Sequence, residues 1–149
     1  MALTQTQVSQ LYVSVFGRAS EGEGNTYWQT DQPDMVTTAN VMLATDAATT
    51  YFGTSLATNQ AFIEHIYSNT LGKTITDDPT GVAYWTAELD AGKTRGEVVT
   101  ALVNAAVIAT NAGNAQDQFN HRVEVSNYTA DNITTFTDAA TFQGYISSV

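Results

Sequence analysis

The chain has 149 residues, a length typical of one domain, and 43% of them are hydrophobic, which is too many for a disordered chain. It has no cysteine, which excludes disulfides, thiolate metal sites and cysteine nucleophiles. Fifteen acidic residues against five basic ones give a net charge of −10, so nucleic acid and anionic membrane surfaces are unfavourable partners. No apolar run is long enough to span a bilayer, and we expect no membrane insertion.

Two segments of the chain are similar to each other in sequence. The offset between them is 55 residues at first and 57 after a loop that is longer in the second segment. The matched pairs include Tyr12 with Tyr67, Gly17 with Gly72, Gly24 with Gly81, Tyr27 with Tyr84 and Trp28 with Trp85. We therefore predict two pseudo-repeats, at about residues 4–57 and 58–112, followed by C-terminal helices over 113–149, all within a single domain.

Helix signals occur in order along the first pseudo-repeat. Thr4 and Gln7 have the spacing of a capping box, and the apolar residues that follow recur on one helical face as far as Gly17. Gly17 is predicted to end this helix in the left-handed conformation. After the Gly-x-x-Tyr-Trp sequence, another helix is expected to start near residues 31–33.

The second pseudo-repeat marks its helix boundaries more clearly. Asp78 is predicted as an N-cap with Pro79 at the first helical position, and this helix is expected to end near Gly92. Thr94 and Glu97 have the spacing of a second capping box, and the valine-rich sequence after them predicts a further helix.

The C-terminal segment continues the helical pattern. We expect one helix beyond Gly113 and a last one from about Asp138. The residues of the first of these helices that are predicted to point inward are Phe119, Val123 and Tyr128, and the last helix carries Phe142, Tyr145 and Ile146. No stretch has the alternation of a β-strand. The sequence therefore predicts an all-α fold, a compact bundle of about seven or eight helices built from two helix-loop-helix pseudo-repeats plus the C-terminal helices.

The stretch LGKTITDDPTGVAYWTAELDAGKTRGE, residues 71–97, resembles the DUF4214 family of bacterial domains. The family pattern is Leu-Gly-Arg, a polar loop, Gly-x-x-Tyr-Trp, a helix, and Gly followed by Ser or Thr. The first copy, FGRASEGEGNTYW, matches this pattern with Arg18 in place, whereas Lys73 replaces the arginine in the second. The N-terminal half also resembles the start of surface-layer proteins of the Campylobacter surface-array type. The resemblance covers about residues 3–130.

The resemblance implies a non-enzymatic domain of a large surface protein, exported by type I machinery without a Sec signal peptide to the extracellular cell surface. In surface-array proteins the N-terminal region holds the lattice to lipopolysaccharide. It therefore implies an N-terminal anchoring domain that binds cell-surface lipopolysaccharide or O-antigen. The alternative is a protein–protein assembly module that contacts other domains or copies of the surface-layer protein.

Polar and aromatic residues of the repeated loops are the candidates for carbohydrate binding. Tyr27 and Tyr84 are candidates to stack on sugar rings, and Asn25, Arg18 and Lys73 to hold polar or anionic groups. The alternatives are structural, because the tyrosines can belong to the core with their neighbouring tryptophans. The two cations can compensate helix C-termini.

Acidic residues of the same loops are candidates for a calcium site. Asp77, Asp78, Glu21 and Glu23 place oxygen ligands on short loops, although no EF-hand spacing is present. Capping also explains Asp78. The two histidines, which lack the spacing of a zinc hydrolase, are expected to be surface or satisfied groups, and we predict no catalytic residues.

Overall fold

The computed structural model describes residues 3–149, apart from the side chain of Ala109. Within this range it contains nine α-helices and no strand, which confirms the predicted all-α fold. The helices are α1 (Gln5–Leu11), α2 (Gly22–Asp31), α3 (Met35–Leu43), α4 (Asp46–Phe52), α5 (Asn59–Leu71), α6 (Pro79–Asp90), α7 (Arg95–Val107), α8 (Asn114–Asn132) and α9 (Ala139–Ser147). The turn Tyr12–Phe16 extends α1 as a π-helix, and 3₁₀ turns occupy Gly53–Leu56 and Ala109–Asn111.

The predicted helix caps are formed. Thr4 and Thr94 each accept a hydrogen bond from the backbone N–H three residues later, in full capping boxes with Gln7 and Glu97. The helices before Gly17 and Gly72 end on these glycines, at φ values of 59° and 63°. The third helix of the first pseudo-repeat begins slightly later than expected, because Asp34 rather than residues 31–33 caps α3.

Equivalent helices of the two pseudo-repeats pack against each other. The π-helical extension of α1 contacts α5, where the hydroxyls of Ser14 and Thr70 share a buried hydrogen bond of 2.9 Å. Helix α3 lies along α7, where the Asn40 side chain accepts from the Gly96 N–H at 2.7 Å and donates to Thr94. The core therefore lies between the two copies.

One residue of the C-terminal segment does not point inward as expected. Tyr128 is 67% exposed, whereas Phe119 and Val123 are buried as predicted. The buried positions of α8 include Ser126 and Thr129, which continue the helical spacing from Val123. Because these inward residues carry hydroxyls, apolar spacing could not identify them. The Ser126 and Thr129 side chains instead form hydrogen bonds with Ser20.

The contact between α3 and α7 requires a glycine at position 96. A Cβ on Gly96 would lie 2.5 Å from the Val36 carbonyl oxygen and equally close to the Asn40 side chain. We expect Gly96→Ala to lower the free energy of unfolding by about 1–3 kcal/mol, since the added methyl group overpacks this contact. Urea unfolding measures the change.

The matched control is Gly144→Ala, because Gly144 lies within α9 and a Cβ there meets no atom within 4 Å. Alanine favours a helix over glycine by about 1 kcal/mol, so this variant should be slightly more stable than the parent. Equal stability of the two alanine variants would contradict the close contact at Gly96.

Candidate functional site

A buried tyrosine beside a carboxylate occurs at the same place in both pseudo-repeats. In the second copy, the Tyr67 hydroxyl donates to Asp78 at 2.5 Å, and Asp78 also accepts from the Gly81 N–H to cap α6. In the first copy, the buried Tyr12 lies beside Glu21, the residue that precedes α2. Burial first, and the neighbouring carboxylate second, raise the pKa of both tyrosines.

The repeated glycines make this arrangement possible. A Cβ on Gly24 would collide with the Tyr12 hydroxyl and Glu21, and one on Gly81 with the Tyr67 hydroxyl and Asp78. Each glycine therefore lets the start of its helix approach the buried tyrosine of the preceding helix. The glycine of the Gly-x-x-Tyr-Trp sequence has a structural role.

The aromatic residues of the same sequence form an identical pair in each copy. The rings of Tyr27 and Trp28 meet edge to face at 5.0 Å and 82°, and those of Tyr84 and Trp85 at 5.0 Å and 85°. Both tryptophans are half-buried against the core, as expected, whereas Tyr27 is 56% exposed and Tyr84 is 57% exposed. The tyrosines are therefore not core residues.

Arg18 and Lys73 occupy equivalent positions but different environments. The Arg18 side chain is buried, and its Nη1 donates to Glu21 and to the Ala19 carbonyl oxygen, both at 2.9 Å. Four aromatic rings surround its guanidinium, with the Phe136 centroid nearest at 4.4 Å. Lys73 is exposed.

Asn25 is unavailable to a ligand, because its amide is used within the fold. The residue is 1% exposed, its Nδ2 donates to Ser20 at 3.0 Å and to Ser9 at 3.3 Å, and its Oδ1 accepts from Gln29 at 2.9 Å. Sequence reasoning placed it on a loop, but it lies in α2 and faces inward. We therefore omit Asn25 from the proposed binding surface.

The acidic candidates for calcium are dispersed. Glu21 is buried in its ion pair with Arg18, Asp78 caps α6, and Asp77 accepts from the backbone and hydroxyl of Thr74. Within the described part of the chain, no three His, Cys, Asp or Glu side chains are grouped to hold a metal ion. Calcium binding stays a prediction from the sequence.

A groove that the sequence did not reveal crosses the Arg18–Glu21 pair. Two adjoining cavities form it, and both are lined by Phe16, Arg18, Glu21 and Ala47. The larger, about 810 Å³, lies between α4 and α9, and the smaller, about 480 Å³, continues to α2. Phe136, on one wall, lies 118 residues after Arg18, so local sequence patterns carry no signal for the groove.

The two histidines lie in different environments. His65 lies between the Ser55 hydroxyl at 3.0 Å and the Tyr51 hydroxyl at 2.9 Å, and burial lowers its pKa. His121 is exposed. Both histidines agree with the expected surface or satisfied groups.

None of the described helices is both long and apolar enough to cross a membrane.

These features define an all-helical domain whose duplicated helix pairs are fastened by a buried tyrosine and a helix-capping position. A family model described as a domain of unknown function, DUF4214, matches residues 38–111, about half of the chain. The chain belongs to the DUF4214 family. The match runs from α3 to the 3₁₀ turn after α7, so it contains the second Gly-x-x-Tyr-Trp sequence but not the first. No curated protein and no solved structure matches the chain.

The bond between Tyr67 and Asp78 should make stability depend on pH. This hydrogen bond is the largest of the interactions that hold the pKa of Asp78 below its ordinary value of 3.8. A carboxylate with a lowered pKa stabilises the fold above pH 3.8, and this stabilisation is lost as the pH falls through the lowered pKa. We expect Tyr67→Phe to cost about 1 kcal/mol at pH 6, a small value because Asp78 is partly open to solvent.

The cost of Tyr67→Phe should shrink between pH 4 and pH 2, as measured by denaturant unfolding at each pH. Tyr84→Phe is the control, because Tyr84 is exposed. Its stability should follow that of the parent at every pH. A pH-independent cost of Tyr67→Phe would contradict the link to Asp78.

Proposed function

We propose that this chain is a non-enzymatic, N-terminal anchoring domain of a secreted surface-layer protein, and that it binds lipopolysaccharide through its O-antigen at the extracellular cell surface. The observation that carries the proposal is the duplicated pair of exposed tyrosines. Tyr27 and Tyr84 present more than half of their surface to solvent, each held in the same edge-to-face contact with a half-buried tryptophan.

An exposed tyrosine of this kind suits a sugar ring. The C–H face of a pyranose is apolar and packs on an aromatic face. Contact with the tryptophan ring orders the tyrosine ring before binding, which reduces the conformational entropy lost on association. Two such rings on one domain allow two contacts with a polymer of repeating units.

The charge of the chain favours a polysaccharide with few anionic groups. Fifteen acidic side chains repel phosphate and carboxylate, and only five basic ones offset them. Of the two cations considered for anion binding, Arg18 is neutralised by Glu21 at 2.9 Å. The proposed ligand is therefore the neutral part of the lipopolysaccharide, with the protein–protein assembly module as the competing outcome of the test.

Removing both tyrosine rings should weaken binding. We expect Tyr27→Ala combined with Tyr84→Ala to lower the affinity for lipopolysaccharide from the producing cells by about tenfold or more, equivalent to about 1.4 kcal/mol. Sedimentation of the purified domain with these cells measures the affinity. Parallel samples with calcium and with a chelator test the calcium prediction.

The control is Tyr128→Ala, because Tyr128 is 67% exposed but is not one of the repeated tyrosine–tryptophan pairs. It should bind like the parent. Equal binding of the parent to cells that lack O-antigen would overturn the proposal. Retention by protein components of the surface layer instead would support the assembly module.

A further inference from the structure

We propose that the groove over Arg18 and Glu21 is the main subsite for an uncharged oligosaccharide, with neighbouring sugar hydroxyls bridging the two side chains. This inference rests on the proposed function and says where the polysaccharide binds. It assigns recognition of the sugar sequence to the first pseudo-repeat.

The groove has the size and the course that a short saccharide chain needs. One end is lined by Tyr27 and Trp28, the middle by the Arg18–Glu21 pair, and the other end by Phe136. Its two parts measure about 480 and 810 Å³, and ligand clefts commonly enclose about 300–1,000 Å³. A chain stacked on the exposed Tyr27 therefore continues directly over the ion pair.

The ion pair offers hydrogen-bond groups fixed in advance. Arg18 is 8% exposed and Glu21 is 6% exposed, yet both line the groove. A guanidinium has five N–H donors, and only Nη1 of Arg18 donates to an acceptor in the described part of the chain. The remaining N–H groups of Arg18 can donate to one sugar hydroxyl. The Glu21 carboxylate can accept from the neighbouring sugar hydroxyl.

Aromatic walls on both sides of the ion pair provide the apolar contacts. Phe136 lies with its centroid 4.4 Å from the Arg18 guanidinium carbon and is 40% exposed. Phe16 and Tyr51 line the same part of the groove, and Tyr27 lines the other part. Polar groups between aromatic faces suit a ligand that is apolar on its ring faces and polar at its edges.

The charges along the groove select against an acidic ligand. Glu21 and Asp46 line the larger part, Glu23 lines the smaller part, and Arg18 is already paired. An anionic sugar would meet the carboxylates of Asp46 and Glu23 beside the neutral Arg18–Glu21 pair, so a neutral sugar is the favoured occupant.

The second pseudo-repeat does not form the same site. Lys73, the equivalent of Arg18, is exposed and forms no ion pair within the described part of the chain, although cavities of about 280 and 540 Å³ adjoin it. Asp78, the equivalent of Glu21, is occupied by Tyr67 and the start of α6.

Blocking the groove tests the proposal. Ala47 is exposed and lines both parts, so Ala47→Trp should fill the groove without altering the core. Ala140→Trp is the matched control, because Ala140 is exposed and occupies the same second position of a capped helix but lines neither part. The parent and both variants carry Trp85→Phe, so that Trp28, which lines the groove, is the one native tryptophan left in each.

The probe is the uncharged fraction, after anion exchange, of the O-antigen oligosaccharides that acid hydrolysis releases from lipopolysaccharide of the producing cells, with polygalacturonate as the anionic comparison. Titration calorimetry should show an affinity at least tenfold lower for Ala47→Trp and unchanged for Ala140→Trp. The Trp28 emission of the parent should shift on binding. Thermal unfolding checks each fold, and Thr50→Trp, at an exposed position on the larger part, replaces Ala47→Trp if that variant does not fold.

The outcomes separate this inference from the proposed function. If the Ala47→Trp variant binds the neutral oligosaccharide as tightly as the parent does, the groove is not the subsite. A loss of affinity on removal of the Tyr27 and Tyr84 rings would still support polysaccharide binding. Tighter binding of polygalacturonate would overturn the neutral class of ligand. Failure of the parent to bind either O-antigen or the oligosaccharide would overturn both proposals.

Discussion

The structure depends on a buried tyrosine that meets the beginning of the next helix. Tyr12 and Tyr67 lie beside a carboxylate at that helix start, and a glycine three residues later leaves room for the hydroxyl. A buried phenol without a partner would be costly, so each hydroxyl fixes how the two helices of its pair meet. Because both copies use this contact, the two helix pairs have the same form, and the π-helical extension of α1 in one packs on α5 of the other.

The two copies differ in the other partners of the carboxylate at the helix start. Asp78 both caps its helix and accepts from Tyr67, whereas the longer Glu21 forms no side-chain cap and pairs with Arg18. The C-terminal segment then closes over the first copy, since the Gly22 N–H donates to the Ile133 carbonyl oxygen and Ser20 bonds to α8. This packing places the Phe136 ring over the guanidinium of Arg18. The same repeated pattern therefore fastens a helix pair in both halves, and in the first half it also gives a groove with a buried ion pair.

The proposed binding surface combines the exposed tyrosines of both copies with the groove of the first copy. The exposed tyrosines are common to the two copies, because each adjoining tryptophan packs against the core and turns its neighbour outward. The groove exists only where the C-terminal segment adds its aromatic residues. A polymer of repeating sugar units can contact a duplicated surface at two places while being recognised at one of them.

The sequence by itself determined the all-α fold, the duplication and most helix boundaries. Those features depend on signals within a few residues of each other, such as the capping box at Thr94 or the left-handed Gly72. Only the tertiary structure decided that Tyr27 is exposed, that Asn25 and Arg18 are buried, and that Phe136 completes a groove. Burial and cavities arise from contacts between distant parts of the chain, and hydrophobic spacing within one helix contains no information about them.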